Sequence, residues 1–357
     1  MVTALDLRNF RSYPSLELQV SPGRTLVVGP NGAGKTNLLE GLHVATQGFS
    51  PRTRADNRVV RFGEQAARAS ASGAVGGARF EACVTVPARG AKTAVLNGAA
   101  TTTEKLRQRL PVLVFVPDRL AVVKGGPLVR RLYFDRMLGR LRPQHGNLPG
   151  EYANVLAQRN TALRRIAAGL ASRKAIEPWD AAVSRLGTAL DLERSSLVGT
   201  LEGAFGQHCG ELGIGGARLE YAHRPVELSV LEERFAQDLE HGSTGIGPHR
   251  RDVLLTSAGQ DLRSYGSQGQ QRVAVLGLLL AEARVLSETR GLAPILLLDD
   301  VLSELDGERR RGLLASLAPD SQTVITTTTL DVEPAAMTGD TAVVSISPGS
   351  AAIEQGA

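Results

Sequence analysis

A glycine-rich segment near the start of the chain has the residue types and spacing that hold phosphate groups. Residues 29–36 fit the pattern G-x-x-x-x-G-K-[ST] in full. Glycines let backbone N–H groups turn toward phosphate oxygens, and a helix that begins there adds its dipole. We expect Lys35 to reach the β- and γ-phosphates of a nucleotide and Thr36 to offer a hydroxyl to Mg²⁺. The expected nucleotide-binding residues are Gly29, Pro30, Asn31, Gly32, Ala33, Gly34, Lys35, Thr36 and Asn37.

Two carboxylates follow a short apolar run late in the chain. Residues 295–298 read Ile-Leu-Leu-Leu and are followed by Asp299 and Asp300. Such a run is typical of a buried strand, whose carboxyl end can present a side chain to a bound ligand. We expect Asp299 to hold Mg²⁺, directly or through water, and Asp300 to orient or activate an attacking water.

The elements that must position these residues alternate between strands and helices. Apolar runs predict buried strands, alternating residues predict half-buried strands, and wider apolar spacing predicts helices. This order favours an α/β fold with a mostly parallel sheet. The predicted strands are 25–28, 80–86, 112–116, 295–298 and 323–327, and the helices near them are 36–46, 268–287 and 306–317.

The long separation between Lys35 and Asp299 narrows the class of ATPase. A small GTPase or a P-loop kinase would place these residues much closer together. Helical spacing dominates from Leu128 to about Ala204, and strand patterns return afterwards. We expect an ABC-type P-loop ATPase head with a mainly helical second lobe. The predicted boundaries are 1–123 and 245–357 for the ATPase lobe and 124–244 for the helical lobe.

A second segment could offer a helix start to a phosphate. Residues 266–270 read Gly-Ser-Gln-Gly-Gln and are similar to the ABC signature sequence, and residues 303–306 resemble the D-loop of that superfamily. In such heads the signature faces the nucleotide of the other subunit. An ordinary N-cap serine is the simpler interpretation. The candidate residues are Ser267, Gln268, Gly269 and Gln270.

Composition limits the class of protein. The chain has 357 residues, of which 42% are hydrophobic and 22% charged, so it does not resemble a disordered chain. Its longest apolar run is far shorter than the about 20 residues of a membrane span. Its two cysteines are far apart. We expect a cytoplasmic protein without zinc or a membrane partner.

The positive charge is concentrated in one segment. The formal net charge is only +5, but residues 124–174 contain 11 Lys and Arg against two Asp and Glu. This segment is either a solvated helical face or a surface for an anionic partner. The same two alternatives apply to Arg52, Arg54, Arg58 and Arg61.

Several blocks, taken in order, are similar to the RecF family. Residues 5–13 read Leu-Asp-Leu-Arg-Asn-Phe-Arg-Ser-Tyr and resemble that family's opening strand. Together the blocks extend over most of residues 1–330. Further similar blocks lie at 115–120, 123–127, 130–135, 152, 158–160, 179–180, 247–250 and 265–272.

The resemblance implies an ABC-type ATPase head without a coiled coil, and a function in recombinational repair, replication restart and the SOS response. It implies ATP and Mg²⁺ as cofactors, an ATP-dependent homodimer, double-stranded and gapped DNA as partners, and slow DNA-stimulated hydrolysis. It also implies work with RecO and RecR in loading RecA at gaps. The residues then expected to act in catalysis are Asp300, Lys35 and Ser267. Three alternatives stay open: an SMC-type or Rad50-like ATPase, a transporter-type ATPase, and a scaffold that binds ATP without hydrolysing it.

Some positions depart from the ABC pattern. No switch histidine follows the strand at 323–327, so Thr327 and Thr328 are the candidates for sensing the γ-phosphate. Gln47 is a weak candidate for the Q-loop glutamine. His249 and Arg250 are either packing residues or site residues. The tail after Pro348 is expected to be loose.

Overall fold

The apolar and alternating segments of the sequence form strands in the computed structural model. The structure describes residues 1–318, 321–328, 341–347 and 350–354. The strands within these ranges are β1 (Val2–Phe10), β2 (Tyr13–Gln19), β3 (Arg24–Val28), β4 (Ala66–Val75), β5 (Ala78–Pro87), β6 (Thr93–Leu96), β7 (Ala99–Thr101), β8 (Val112–Phe115), β9 (Ala217–Glu220), β10 (Leu254–Ser257), β11 (Gln260–Asp261), β12 (Ile295–Leu298), β13 (Thr323–Thr327), β14 (Thr341–Ser347) and β15 (Ser350–Glu354).

Helices occupy most of the middle of the chain. The α-helices within the described ranges are α1 (Lys35–Gln47), α2 (Thr103–Arg109), α3 (Ala121–Lys124), α4 (Pro127–Leu141), α5 (Leu148–Ala167), α6 (Glu177–Glu211), α7 (Leu228–Glu233), α8 (Phe235–His241), α9 (Leu262–Tyr265), α10 (Gln268–Arg290) and α11 (Gly307–Ser316). Short 3₁₀ turns cover Asp56–Val59, Pro117–Leu120, Pro143–His145, Arg173–Ile176 and Leu302–Glu304.

The chain divides into two units, and the division differs from the predicted one. Unit 1 consists of Met1–Arg119, Glu211–Gly213 and Leu286–Ala357, and unit 2 of Leu120–Gly210 and Ile214–Val285. Apart from Glu211–Gly213, the chain returns to unit 1 only at Leu286, whereas the sequence predicts this return at residue 245. The reason is that β9, β10 and β11 pair with one another in a sheet of their own, so they do not extend a sheet of unit 1.

Unit 1 contains the expected parallel sheet. Its strand order is β15-β14-β3-β13-β12-β8, and only β15 runs antiparallel to its neighbour. The register sets Leu298 opposite both Ile325 and Phe115, so the carboxyl ends of these strands form one edge. The expectation of a loose tail after Pro348 is wrong for residues 350–354, because they pair with β14 as β15.

A second sheet of unit 1 is antiparallel and covers the other face of helix α1. Its strand order is β2-β1-β4-β5-β6-β7. Helix α1 packs against β4 and β5 of this sheet and also contacts β13 and β8 of the parallel sheet. One apolar core runs through these layers and includes Leu7, Phe10, Leu38, Leu42 and Leu297. The P-loop helix is therefore held on both sides.

Unit 2 is mainly helical, as expected for the second lobe. Helices α3 to α9 and most of α10 lie in it, together with the three-stranded sheet β11-β10-β9. Buried ion pairs link its helices. The guanidinium of Arg159 is 0% exposed and donates to Asp180 at 2.6 Å, to Asp238 at 2.7 Å and to Thr244 at 2.8 Å. Within the ranges that the structure describes, every helix is too short or too polar to cross a bilayer.

Candidate nucleotide-binding site

The glycine-rich loop connects β3 to α1 at the carboxyl edge of the parallel sheet. Two of its glycines are required by their surroundings. A Cβ on Gly29 would lie 2.5 Å from the carbonyl oxygen of Ile346. Gly34 has a φ of 113°, and a Cβ there would lie 2.8 Å from the hydroxyl of Tyr13. The Tyr13 hydroxyl donates to the Gly34 carbonyl at 3.1 Å, and burial raises the pKa of Tyr13 to about 12.

Lys35 is the first residue of α1, and its side chain folds back onto this loop. Its ammonium donates to the carbonyl oxygens of Gly29 at 2.6 Å and of Pro30 at 3.0 Å, and the residue is 7% exposed. The loop carbonyls thus hold the cation against the glycine-rich loop. A phosphate group fits this arrangement, because the cation and the start of helix α1 both favour an anion.

Thr36 and Asp299 meet at the start of α1. The Thr36 hydroxyl is 2.9 Å from each carboxylate oxygen of Asp299, and the Thr326 hydroxyl donates to the same carboxylate at 2.8 Å. Burial raises the pKa of Asp299, although the two hydroxyls and the charge of Arg52 oppose this shift. A buried carboxylate beside a hydroxyl is a donor set that suits Mg²⁺, whose charge would stabilise the ionised carboxylate.

Asp300 is held in an unusual backbone conformation. Its φ is 51°, in the left-handed region that residues other than glycine seldom adopt. The backbone N–H of Asp300 donates to the Thr326 hydroxyl at 2.8 Å. Its side-chain Oδ1 is buried and has no hydrogen-bond partner among the described residues. Strained residues with an unsatisfied oxygen are typical of functional sites.

A buried carboxylate on α1 binds two arginine side chains beside the glycine-rich loop. The side chain of Glu40 is 0% exposed and accepts from Arg11 at 2.7 and 2.9 Å and from Arg52 at 3.2 Å. Arg52 also donates to the side-chain oxygen of Asn37 at 3.2 Å, and Asn37 donates to Ser12 at 2.9 Å. Two guanidinium groups share one carboxylate here, so the cluster keeps a net positive charge next to the phosphate site.

The structure brings together Lys35, Thr36, Asp299 and Asp300, all in unit 1. The segment 267–270 lies in unit 2, at the start of α10. There Gln270 N–H donates to the Ser267 hydroxyl at 3.2 Å, and Ser267 N–H donates to the Gln270 side chain at 2.8 Å. This reciprocal pair is a capping box. Ser267 and Gln268 are exposed, and Gly269 is half-buried.

Some candidate residues have other roles than those considered in the sequence. Gln47 is 4% exposed and its side chain donates to the carbonyl of Leu110 at 2.8 Å, so it ties α1 to the chain before β8. Thr326 was not among the predicted site residues, yet its hydroxyl joins the Asp299 carboxylate to the backbone N–H of Asp300, whereas Thr327 and Thr328 stay predictions for sensing the γ-phosphate. The register between β12 and β13 could have identified Thr326, because Ile325 lies opposite Leu298 and the next residue, Thr326, therefore lies beside Asp299. Arg11 and Glu40 were also missed.

The basic segment 124–174 is partly neutralised in unit 2. Arg130, Arg140, Arg142 and Arg159 form ion pairs with acids outside the segment. Other basic residues of the segment stay exposed at the end of α5 and just after it, namely Arg164, Arg165, Arg173 and Lys174. An anionic partner could therefore meet only part of the segment.

The imidazole of His249 has a hydrogen-bond partner at each of its two nitrogens. Its Nε2–H donates to the carbonyl of Thr244 at 3.0 Å, and its Nδ1 accepts from the Tyr152 hydroxyl at 2.8 Å. Burial lowers the pKa of His249, which favours this neutral form. The neighbouring Arg250 is exposed.

Comparison with known proteins agrees with the site. The family model of the RecF/RecN/SMC N terminal domain matches residues 1–345. The "DNA replication and repair protein RecF" of Heliobacterium modesticaldum is 35% identical over 342 residues, which cover 92% of each chain. The protein of the same name from Moorella thermoacetica is 35% identical over 337 residues, covering 93% of this chain and 90% of that protein.

Solved structures show the same relationship. The recombination mediator protein RecF with ATP, in the RecFOR pathway, has a TM-score of 0.85 and 27% identity, covering 99% of this chain and 97% of that chain. The Smc head bound to the C-winged helix domain of ScpA has a TM-score of 0.61 at 18% identity, which shows a shared fold. The site geometry and the full-length similarity lead to one assignment: this chain belongs to the RecF family of DNA replication and repair proteins.

Proposed function

We propose that the chain is an ATP-hydrolysing, DNA-binding protein of recombinational repair and replication restart, active in the response to DNA damage. Two copies close on ATP, hold DNA between them and release it after hydrolysis. The binding and hydrolysis of ATP are supported by one observation: Lys35, Thr36, Asp299 and Asp300 lie together at one edge of the parallel sheet. DNA binding in repair and replication restart is supported by family membership and by the names of the relatives.

Each site residue has a distinct task in this proposal. The loop amides and the Lys35 ammonium hold the phosphates of ATP. Thr36 and Asp299 would hold Mg²⁺, which supplies positive charge against the phosphate oxygens. The unpaired oxygen of Asp300 orients the attacking water and accepts its proton. Thr326 positions both aspartates, because its hydroxyl donates to the Asp299 carboxylate and accepts from the backbone N–H of Asp300.

The signature segment supplies the second half of each site. Ser267 stands at the start of a helix of 23 residues, where partial positive charge collects. We infer that the segment 267–270 meets the nucleotide bound by the second copy, so that ATP becomes part of the dimer interface. The Ser267 hydroxyl then exchanges its bond with the Gln270 N–H for one with phosphate.

The partners follow from the family. Mediator proteins of the RecO and RecR type are expected, because a similar solved RecF is described as part of the RecFOR pathway. DNA contacts are mostly Arg to phosphate in this proposal, so double-stranded and gapped DNA bind with little sequence preference. Turnover is slow and rises with DNA, since hydrolysis acts as a release switch.

A gel-shift assay on a gapped duplex tests the proposal. Wild type should retain the DNA with ATP and Mg²⁺ and release it as ATP is consumed. Lys35→Met should retain none, whereas Asp300→Asn should retain DNA without release. The released phosphate, measured in the same samples with and without DNA, separates an ATPase from a scaffold that only binds ATP. Retention that does not depend on ATP in any variant would contradict the proposal.

A further inference from the structure

One end of the antiparallel sheet of unit 1 carries an exposed aromatic ring among arginines. We call this group the basic aromatic tip and define it as Arg54, Arg58, Arg61, Phe62 and Arg89. Three adjacent pieces of chain build it: residues 54–59, which end in the 3₁₀ turn Asp56–Val59, the turn before β4, and the loop after β5. The side chain of Asn57 donates to the Ala88 carbonyl at 3.4 Å, and the Ala88 N–H donates to the Gln65 carbonyl at 2.8 Å. These bonds hold the three pieces together.

The arginines of the tip have no side-chain acid bound to them among the described residues. The two acids that adjoin Arg54, Arg58 and Arg61 in the sequence are engaged elsewhere: Asp56 forms an ion pair with Lys92 at 2.8 Å, and Glu64 accepts from the side chain of Asn9 at 3.1 Å. Arg54, Arg58 and Arg89 are exposed and Arg61 is half-buried. The tip therefore presents uncompensated positive charge, in contrast to Arg52 nearby, which is bound to Glu40.

Phe62 is displayed by a turn that holds it outside the core. Its exposed fraction is 103%, so the ring buries no surface in the folded chain. The N–H of Glu64 donates to the carbonyl of Arg61 at 3.0 Å, and Gly63 has a φ of 86°. This is the geometry of a type II turn with glycine at its third position.

The turn is anchored on both sides. The Arg61 N–H donates to the Asn9 carbonyl at 2.8 Å, and the Arg11 N–H donates to the Val59 carbonyl at 2.8 Å. Because the backbone is fixed, a ligand that covers the ring pays little conformational entropy. The side chain adds nothing to the core, so its whole ring is available to contact a ligand.

An unpaired nucleic-acid base with its flanking phosphates is the chemistry that matches the tip. An aromatic ring stacks on a base, and free guanidinium groups bind the phosphates on either side. A duplex offers phosphates but keeps its bases stacked inside, so it can use the arginines and not the ring. We propose that the basic aromatic tip binds single-stranded DNA at a gap, with one unpaired base stacked on Phe62. This inference rests on the DNA binding proposed above and specifies which feature of the DNA unit 1 recognises.

Fluorescence anisotropy with three labelled DNAs and saturating ATP tests the inference on the full-length protein. The probes are an intact duplex, the same duplex with a single-stranded gap, and the gapped duplex with abasic sites in the gap. Phe62→Ala should weaken binding to the gapped DNA about 5-fold or more, the range of one lost base stack. It should leave the intact duplex and the DNA-free ATPase rate unchanged. Phe62→Trp should keep wild-type affinity, because indole also stacks.

The abasic probe separates stacking from a general loss of binding. Wild type should bind the abasic gap as weakly as Phe62→Ala binds the ordinary gap. The affinity of Phe62→Ala should be the same for the abasic gap and the ordinary gap. Arg58→Gln with Arg61→Gln should lower the salt dependence of gapped-DNA binding by up to about 1.4 in log–log slope. Arg79→Gln removes an exposed charge from the other end of β5, and Leu192→Ala removes an exposed apolar side chain, so both are matched controls.

Three results would overturn the inference. In the first, Phe62→Ala and wild type bind the gapped DNA with equal affinity. In the second, Phe62→Ala loses as much affinity for the intact duplex as for the gapped DNA. In the third, Phe62→Ala binds the abasic gap more weakly than it binds the ordinary gap. Failure of wild type to bind the intact duplex would instead contradict the proposed function, so the two failures are distinguishable.

Discussion

Thr36 and Asp299 lie 263 residues apart in the chain, and the Thr36 hydroxyl is 2.9 Å from both carboxylate oxygens of Asp299. This contact joins the start of the P-loop helix to the end of β12. It places a half-buried hydroxyl and a buried carboxylate beside the glycine-rich loop. The chemistry proposed for the chain depends on this pair and on Thr326, whose hydroxyl donates to the same carboxylate.

Replacing Thr326 by Val should lower the ATP turnover rate about 10-fold to 100-fold, the usual effect of losing a group that orients a metal ligand. The substitution removes the hydroxyl that contacts both Asp299 and the N–H of Asp300. ATP affinity should change less than turnover. Thr323→Val is the matched control, since it removes a buried threonine hydroxyl at the opposite end of β13. Steady-state kinetics of both variants would contradict this role if Thr323→Val proved the more damaging.

Asp299→Asn should stabilise the nucleotide-free protein and abolish its further stabilisation by Mg²⁺ and ATP. Burial raises the pKa of Asp299, so the folded state holds the proton more tightly than the unfolded chain. The contribution of this carboxyl to stability therefore falls as pH rises from the ordinary Asp range through the raised pKa. The Tm difference between Asp299→Asn and wild type should grow over that interval and then stay constant. A difference that did not change with pH would contradict the burial of an ionised carboxylate here.

Gly34→Ala should destabilise the nucleotide-free protein more than Gly32→Ala, by about 1 kcal/mol or more. Both glycines have positive φ, at 113° and 82°, so both substitutions strain the backbone. Only at Gly34 would the added Cβ meet atoms, at 2.8 Å from the Tyr13 hydroxyl and 3.0 Å from Ser12. Urea unfolding of the two variants measures this difference. Equal losses would show that the loop yields to the added methyl group.

Neutralising Arg164, Arg165 and Arg173 together should lower the salt dependence of duplex binding by up to about 3 in log–log slope. All three side chains are exposed, although Arg173 also stacks over the ring of Phe235 at 4.7 Å. Arg142→Gln is a useful contrast, because Arg142 is bound to Glu193 at 2.6 Å. That variant should reduce stability and leave the slope unchanged. An unchanged slope in the triple variant would assign these arginines to an ordinary solvated surface.

The parallel sheet could be predicted from sequence because its strands are continuous apolar runs, and the structure confirms 295–298 and 323–327 as predicted. Strand β4 was missed. Its buried positions are Ala67, Ala69, Ser70, Ala71 and Val75. Four of these five side chains are small, so the alternation with the exposed Arg68 produces little hydrophobic contrast. Pairing with β1 on one side and β5 on the other stabilises it as a strand.

The site shows the same limit. Lys35, Thr36, Asp299 and Asp300 could be located because a motif specifies them locally. Thr326 could not, since its role depends on the register between β12 and β13. The sequence likewise overstates the exposed positive charge of residues 124–174, because acids distant in the sequence neutralise part of it. One such ion pair joins Arg140 to Glu282 at 2.5 Å.

In the proposed function ATP joins two copies of this chain, and light scattering during size-exclusion chromatography tests this joining most directly. Asp300→Asn should be used with Mg²⁺ and ATP, because slow turnover would otherwise consume the nucleotide. The mass should rise from 37.8 kDa to twice that value when ATP is added, and Lys35→Met should stay at 37.8 kDa. An Asp300→Asn protein that binds ATP by an independent measurement and still elutes at 37.8 kDa would contradict the account.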